Sequence, residues 1–201
     1  MHGGPRMFSL RFLPAATQEE NAMPDVRARL SHVALHVRDL PQMQRFYAEV
    51  LGLEVSDRGV NRLGFEMVFM SGSEEAHHQI VLMSGATEIA AASRVNHMAF
   101  VVGSLAALRA VRNRALALGA TGMRPSNHGN AWSVYFADPE GNPVEAFLDT
   151  PFHVPQPHGR ALNLDQPDET IIAETERAFG QEPGFLPRSR WAEQHTARIK
   201  T

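Results

Sequence analysis

The chain has 201 residues, 43% hydrophobic and 20% charged, with a formal net charge of −3. That length supports one sizeable core, and the 19 Lys and Arg are scattered, which excludes a basic patch for nucleic acid or an anionic membrane and points to a small-molecule partner. The absence of cysteine excludes disulfides, thiolate metal sites and a cysteine nucleophile and fits a reducing, cytoplasmic setting; no apolar run approaches the ~20 residues that span a bilayer.

Residues 1–28 carry Gly3, Gly4, Pro5, Pro14 and Pro24 and no alternation that demands burial, so they read as a flexible N-terminal tail. Residues 30–37 are an apolar, β-branched strand run. Asp39 and Pro41 then open a helix carrying Met43, Phe46, Tyr47, Val50 and Leu51 at three- and four-residue spacing, which Gly52 stops. Three short strand-like runs follow, at 53–60, 63–70 and 78–83. The pattern then repeats: a strand over 95–102, a helix over 105–118 ended by Gly119, a weak strand near Met123, a strand over 132–137, a turn over 138–142 and a strand over 144–148. Two βαβββ modules, about 29–85 and 94–150, predict an α+β fold in which each module curls into half of a cupped mixed sheet beside a cleft. Residues 151–201 form a C-terminal extension, Pro-rich at Pro151, Pro155 and Pro157, with a helix over 168–179 stopped by Gly180 and a second near 191–199. Its helix either packs on the outside of the sheet or walls the cleft.

The two modules begin alike, Ser31-His32-Val33-Ala34-Leu35-His36-Val37 and Asn96-His97-Met98-Ala99-Phe100-Val101-Val102, at an offset of 65 residues. His32 and His97 therefore occupy equivalent places, and Glu145 on the last strand of the second module is expected on the same face. Two imidazoles and one carboxylate on one side of an ion leave adjacent positions open, an arrangement that selects non-haem Fe(II). His36 follows His32 by four residues, ~13 Å along a strand, and reads as a rim residue. At the offset of 65 the residue matching Glu145 is Ile80, which cannot ligate.

With the paired layout and the His32, His97, Glu145 set, several strings carry a resemblance. They are Glu75-Ala76-His77-His78-Gln79, Asn96-His97-Met98-Ala99-Phe100, His128-Gly129-Asn130-Ala131-Trp132-Ser133-Val134-Tyr135-Phe136, Asp138-Pro139-Glu140-Gly141-Asn142 and Asp149-Thr150-Pro151. Over about residues 29–157 the chain resembles the vicinal oxygen chelate superfamily, and within it the one-domain type I extradiol catechol dioxygenases related to 2,3-dihydroxybiphenyl dioxygenase. The resemblance implies that His32, His97 and Glu145 hold Fe(II), with Mn(II) as the other candidate ion. It implies that His78 is the acid/base histidine and that Tyr135 and His128 hydrogen-bond the substrate oxygens. Of the adjacent pair His77 and His78, one side chain enters the cleft; His78, sharing a face with Ile80 and Leu82, is the expected one. The implied partners are a catechol and O2, and pairing into a homo-oligomer is frequent in that superfamily. Its isomerases of the glyoxalase type and its transferases that inactivate an epoxide antibiotic are the alternative activities; a metal-free drug-sequestering protein is a third.

Overall fold

In the first module, β1 (Val33–His36) leads into α1 (Leu40–Leu51), followed by β2 (Glu54–Val60), β3 (Glu66–Ser71) and β4 (Ile80–Met83). The second runs β5 (Met98–Val101), α2 (Leu105–Ala117), β6 (Thr121–Asn127), β7 (Ala131–Ala137) and β8 (Pro143–Asp149). The extension adds β9 (Phe152–His153), β10 (Arg160–Ala161), α3 (Asp168–Phe179), β11 (Leu186–Pro187) and α4 (Arg188–Ile199). This computed structural model describes residues 29–87 and 95–199, and the predicted tail over 1–28 lies outside the described residues. Contacts divide the chain after Leu30, and all of these elements belong to the unit that begins at Ser31.

The repeat read from the sequence is a repeat of topology. One sheet has the order β1-β4-β3-β2 and the other β10-β6-β7-β8-β5, each with its first strand at an edge and parallel to the module's last strand. Helix α1 starts where expected: the Asp39 carboxylate accepts from the Gln42 N–H, and Gly52 closes the helix at φ 70°, a left-handed conformation that favours glycine. Strand β6 is longer than its composition suggests. Pairing with β7 along its length, and with β10 at Ser126 and Asn127, overrides the low strand propensity of Gly122 and Pro125, and a register shift between Thr121 and Arg124 absorbs the irregularity.

Side-chain alternation gives each sheet a core side and an open side. Val68, Met70, Ile80 and Leu82 of the first sheet and Trp132, Val134, Phe136, Val144 and Ala146 of the second enter one buried cluster, with Met43, Phe46, Tyr47 and Val50 of α1 and Leu105, Leu108, Val111 and Ala115 of α2. Helix α3 lies on this same side. The Thr175 hydroxyl accepts from Trp132 Nε1 at 2.8 Å and from Asn127 Nδ2 at 2.9 Å, and Arg109 of α2 reaches the Leu164 and Gln166 carbonyls. Of the two expectations for this helix, the structure adopts packing outside the sheet. Helix α4 packs on β9 and β11, with Trp191 stacked on His153 of β9 at 4.9 Å and on His195 of its own helix at 4.7 Å.

The modules are joined by a polar contact that the sequence offered only as a turn. Both carboxylate oxygens of Glu140 accept from the Arg38 N–H at 2.9 Å, and one also takes the Asp39 N–H at 2.7 Å. Beside it the Tyr47 hydroxyl donates to Asp138 Oδ2 at 2.9 Å, while Asp138 Oδ1 accepts from the Glu140 and Asn142 N–H groups. The 138–142 turn of the second module thus satisfies the entry of α1 in the first.

Candidate metal and active site

Register builds the site one strand at a time. Ala99 of β5 pairs with Glu145 of β8, Glu145 with Tyr135 of β7, and Tyr135 with Arg124 of β6. Cross-strand partners share a face, so this row lies on the open side of the second sheet, and His97, two residues before Ala99, joins it. His97 Nε2 stands 3.0 Å from Glu145 Oε2, and its Nδ1 lies 2.7 Å from Asn96 Oδ1. With the Asn96 oxygen accepting from Nδ1–H, Nε2 turns its lone pair toward a buried carboxylate. Two electron-rich atoms in contact call for a proton or a cation between them. Imidazole and carboxylate donors without thiolate suit a divalent ion of the Fe(II) or Mn(II) kind, so the donor chemistry fits the implied metal.

His32 stands apart from that pair. It precedes β1 on the open side of the first sheet, and its ring centroid lies 4.4 Å from that of His78, which in turn meets Phe69 at 5.1 Å. Among the described residues no three His, Asp or Glu side chains gather closely enough to hold an ion. The structure therefore joins His97 with Glu145 and, separately, His32 with His78.

Two details differ from the sequence reading. Ala34 pairs with Val81 where Ala99 pairs with Glu145, so Val81 rather than Ile80 occupies the place of the carboxylate. The first module is one residue longer between its paired strands, 47 steps from Val33 to Ile80 against 46 from Met98 to Val144, which moves the match by one position. Val81 is equally unable to ligate. Further, Ile80 and Leu82 face the core, yet His78 lies with Phe69 and His32. Residues 77–79 precede β4 and are not strand, so the two-residue alternation does not extend back to His78. Its neighbour His77 turns toward Asp57, 4.0 Å away. Desolvation first, then the nearby His32 and His77, lowers the His78 pKa, which favours the neutral imidazole.

Tyr135 links the ligand pair to a further histidine. Its hydroxyl lies 3.1 Å from His128 Nε2, and its ring meets His97 edge-on at 5.5 Å. Burial, then the hydrogen bond to Glu145, pushes the phenol up to about 12, so it stays a hydrogen-bond donor at neutral pH. His128 Nδ1 rests on the His158 carbonyl oxygen. The sequence reading missed Arg124, whose guanidinium lies 4.4 Å from the centre of the Tyr135 ring. Counting back from Tyr135 around the hairpin at residues 128–130 would have placed it opposite. It also missed Gln156 and His158, which no local pattern marks.

Comparison with known proteins agrees with this architecture. Residues 29–146 match the Glyoxalase/Bleomycin resistance protein/Dioxygenase superfamily. Biphenyl-2,3-diol 1,2-dioxygenase 3 of Rhodococcus globerulus is 32% identical over 153 residues, covering 70% of this chain and 75% of that protein. Metapyrocatechase of Geobacillus stearothermophilus is 28% identical over 148 residues, 71% of this chain but only 41% of its own length. Among solved structures, a glyoxylase/bleomycin resistance protein/dioxygenase domain from Frankia sp. EAN1pec superposes with a TM-score of 0.51 at 27% identity, covering 62% of this chain and 93% of that one. No helix among the described residues is long and apolar enough to cross a membrane. By its repeated topology, the face that carries His97 and Glu145, and these matches, the chain belongs to the glyoxalase, bleomycin resistance and dioxygenase superfamily.

Proposed function

We propose that this protein is an Fe(II)-dependent extradiol dioxygenase that opens a catechol-type ring with O2. The observation that carries the reading is the chain Glu145, Tyr135, His128 beside His97: hydrogen-bonding groups for a diol adjoin the ligand pair. Transferase chemistry would leave Tyr135, His128 and His78 without a task, and isomerase chemistry wants a second carboxylate where the first module has Val81. The named activities of the Rhodococcus and Geobacillus relatives point the same way.

In this reading His97 and Glu145 would hold the ion first, His32 would have to move from His78 toward them to complete the set, and Asn96 fixes the His97 ring so that Nε2 faces the carboxylate. Fe(II), when bound, would supply Lewis acidity toward the two hydroxyls of the diol and redox chemistry toward O2. The chain's own residues do the rest. His78, favoured neutral, accepts a proton from a diol hydroxyl and later returns it. Tyr135 stays protonated at neutral pH and so can donate a hydrogen bond where negative charge develops on a substrate oxygen. Before the diol arrives His128 Nε2 accepts that single O–H, and the hydroxyl turns from the histidine to the substrate oxygen when the diol is bound. Phe69, half-buried on the open side of the first sheet beside His78, offers an apolar wall for the ring.

Anaerobic loading with Fe(II), then a panel of catechols and oxygen, tests the proposal. One O2 consumed per diol with a yellow ring-opened product is the expected result. Unchanged oxygen across the panel, with Fe(II) stoichiometrically bound, would move the assignment to the isomerase or transferase branches.

A further inference from the structure

We propose that the segment after the second module is a strap that fixes the tautomer of His128, with Gln156 as a positioning residue; the consequence for turnover rests on the role of His128 proposed above. The family match ends at residue 146, and the strap lies beyond it. A carbonyl oxygen can only accept, so the contact between His128 Nδ1 and the His158 carbonyl requires the proton on Nδ1. Neutral His128 then has a bare Nε2, and the 3.1 Å contact with Tyr135 must run from the phenol to the histidine. The direction of a hydrogen bond at the site is thereby set by the main chain of the extension.

Gln156 determines where that carbonyl stands. Its Nε2 donates to the His128 carbonyl at 2.8 Å, to Asn130 Oδ1 at 3.0 Å and to the Val154 carbonyl at 3.2 Å, while its Oε1 accepts from the His158 N–H at 2.9 Å. One carboxamide thus ties the backbone of His128 to that of His158, the residue on which the imidazole rests. Thr150 clamps the same hairpin from the other end, its hydroxyl donating to the Gly129 carbonyl at 2.7 Å and its N–H to the Asn130 carbonyl at 3.0 Å. Gln156 itself is exposed, so replacing it removes these bonds without emptying the core.

The test is nitrogen-15 NMR of the histidine rings in the full-length protein, without metal or diol, comparing wild type with Gln156→Met and Gln156→Ala. Methionine keeps the volume and removes the donors. The expected wild-type His128 is the single Nδ1–H tautomer; in both variants it becomes a mixture, while circular dichroism and the Fe(II) content on loading stay unchanged. With a turned-over catechol, kcat should fall on the order of 10- to 100-fold with KM little moved, the size expected of a misplaced catalytic group. A wild-type His128 protonated on Nε2, or a tautomer unaffected by Gln156→Met, overturns the proposal. A tautomer that shifts while kcat does not would uphold the strap and remove His128 from the proposed chemistry, so the two readings fail separately.

Discussion

At single residues, the distinction between holding an ion and moving a proton is measurable. His97→Ala should lose stoichiometric Fe(II), because it removes half of the His97 and Glu145 pair. His78→Ala should keep the ion and lose turnover by about 100-fold or more, the usual worth of a positioned acid/base. Metal analysis beside oxygen uptake separates the two, and equal metal loss in both would show the roles misassigned. Tyr47 carries a stability prediction. It is fully buried, and burial followed by the charge of Asp138 holds its phenol well above the ordinary value. The folded state therefore keeps a proton that the unfolded chain releases near pH 10, so stability is complete below that pH and falls as pH rises beyond it. Tyr47→Phe should flatten this alkaline decline in urea titrations, and at neutral pH cost about 1–3 kcal/mol through the lost bond to Asp138.

Elements depend on how their ends are satisfied. Glu140 supplies acceptors for two backbone N–H groups at the entry of α1, although it belongs to the other module. Glu140→Ala should destabilise by about 1.5–3 kcal/mol by denaturant unfolding, since bonds to a charged acceptor are lost. The hairpin between β6 and β7 turns at Gly129, where φ is +80° and an added Cβ would lie 2.5 Å from Val154 Cγ1. Gly129→Ala should accordingly cost on the order of 1–3 kcal/mol and disturb His128 beside it. Most elements were legible beforehand, because a helix such as α1 announces itself through local spacing, Asp39 and Gly52. Strand β6 was faint: Gly122 and Pro125 are poor strand residues, and its partner β7 supplies what propensity does not.

For the whole molecule, an ion bound only by the folded state should raise its stability by mass action. At 100-fold excess over Kd the gain is about 2.7 kcal/mol, a melting shift on the order of 5–10 °C. Anaerobic thermal melts with Fe(II) or Mn(II) should show it in the wild type and not in His97→Ala or Glu145→Ala. The amino-acid sequence was sufficient for the duplicated topology and for the limits of α1 and α3, since periodicity, caps and repeated strings are short-range signals, whereas α4 begins at Arg188, three residues before the expected 191. Folding alone decided that Val81 stands where Glu145 stands in the sister module, that His32 meets His78 while His97 meets Glu145, that Arg124 covers Tyr135, and that His158 and Gln156 reach His128. Each of these depends on loop length or on contacts between residues distant along the chain, where one added residue shifts a register and no local pattern records it.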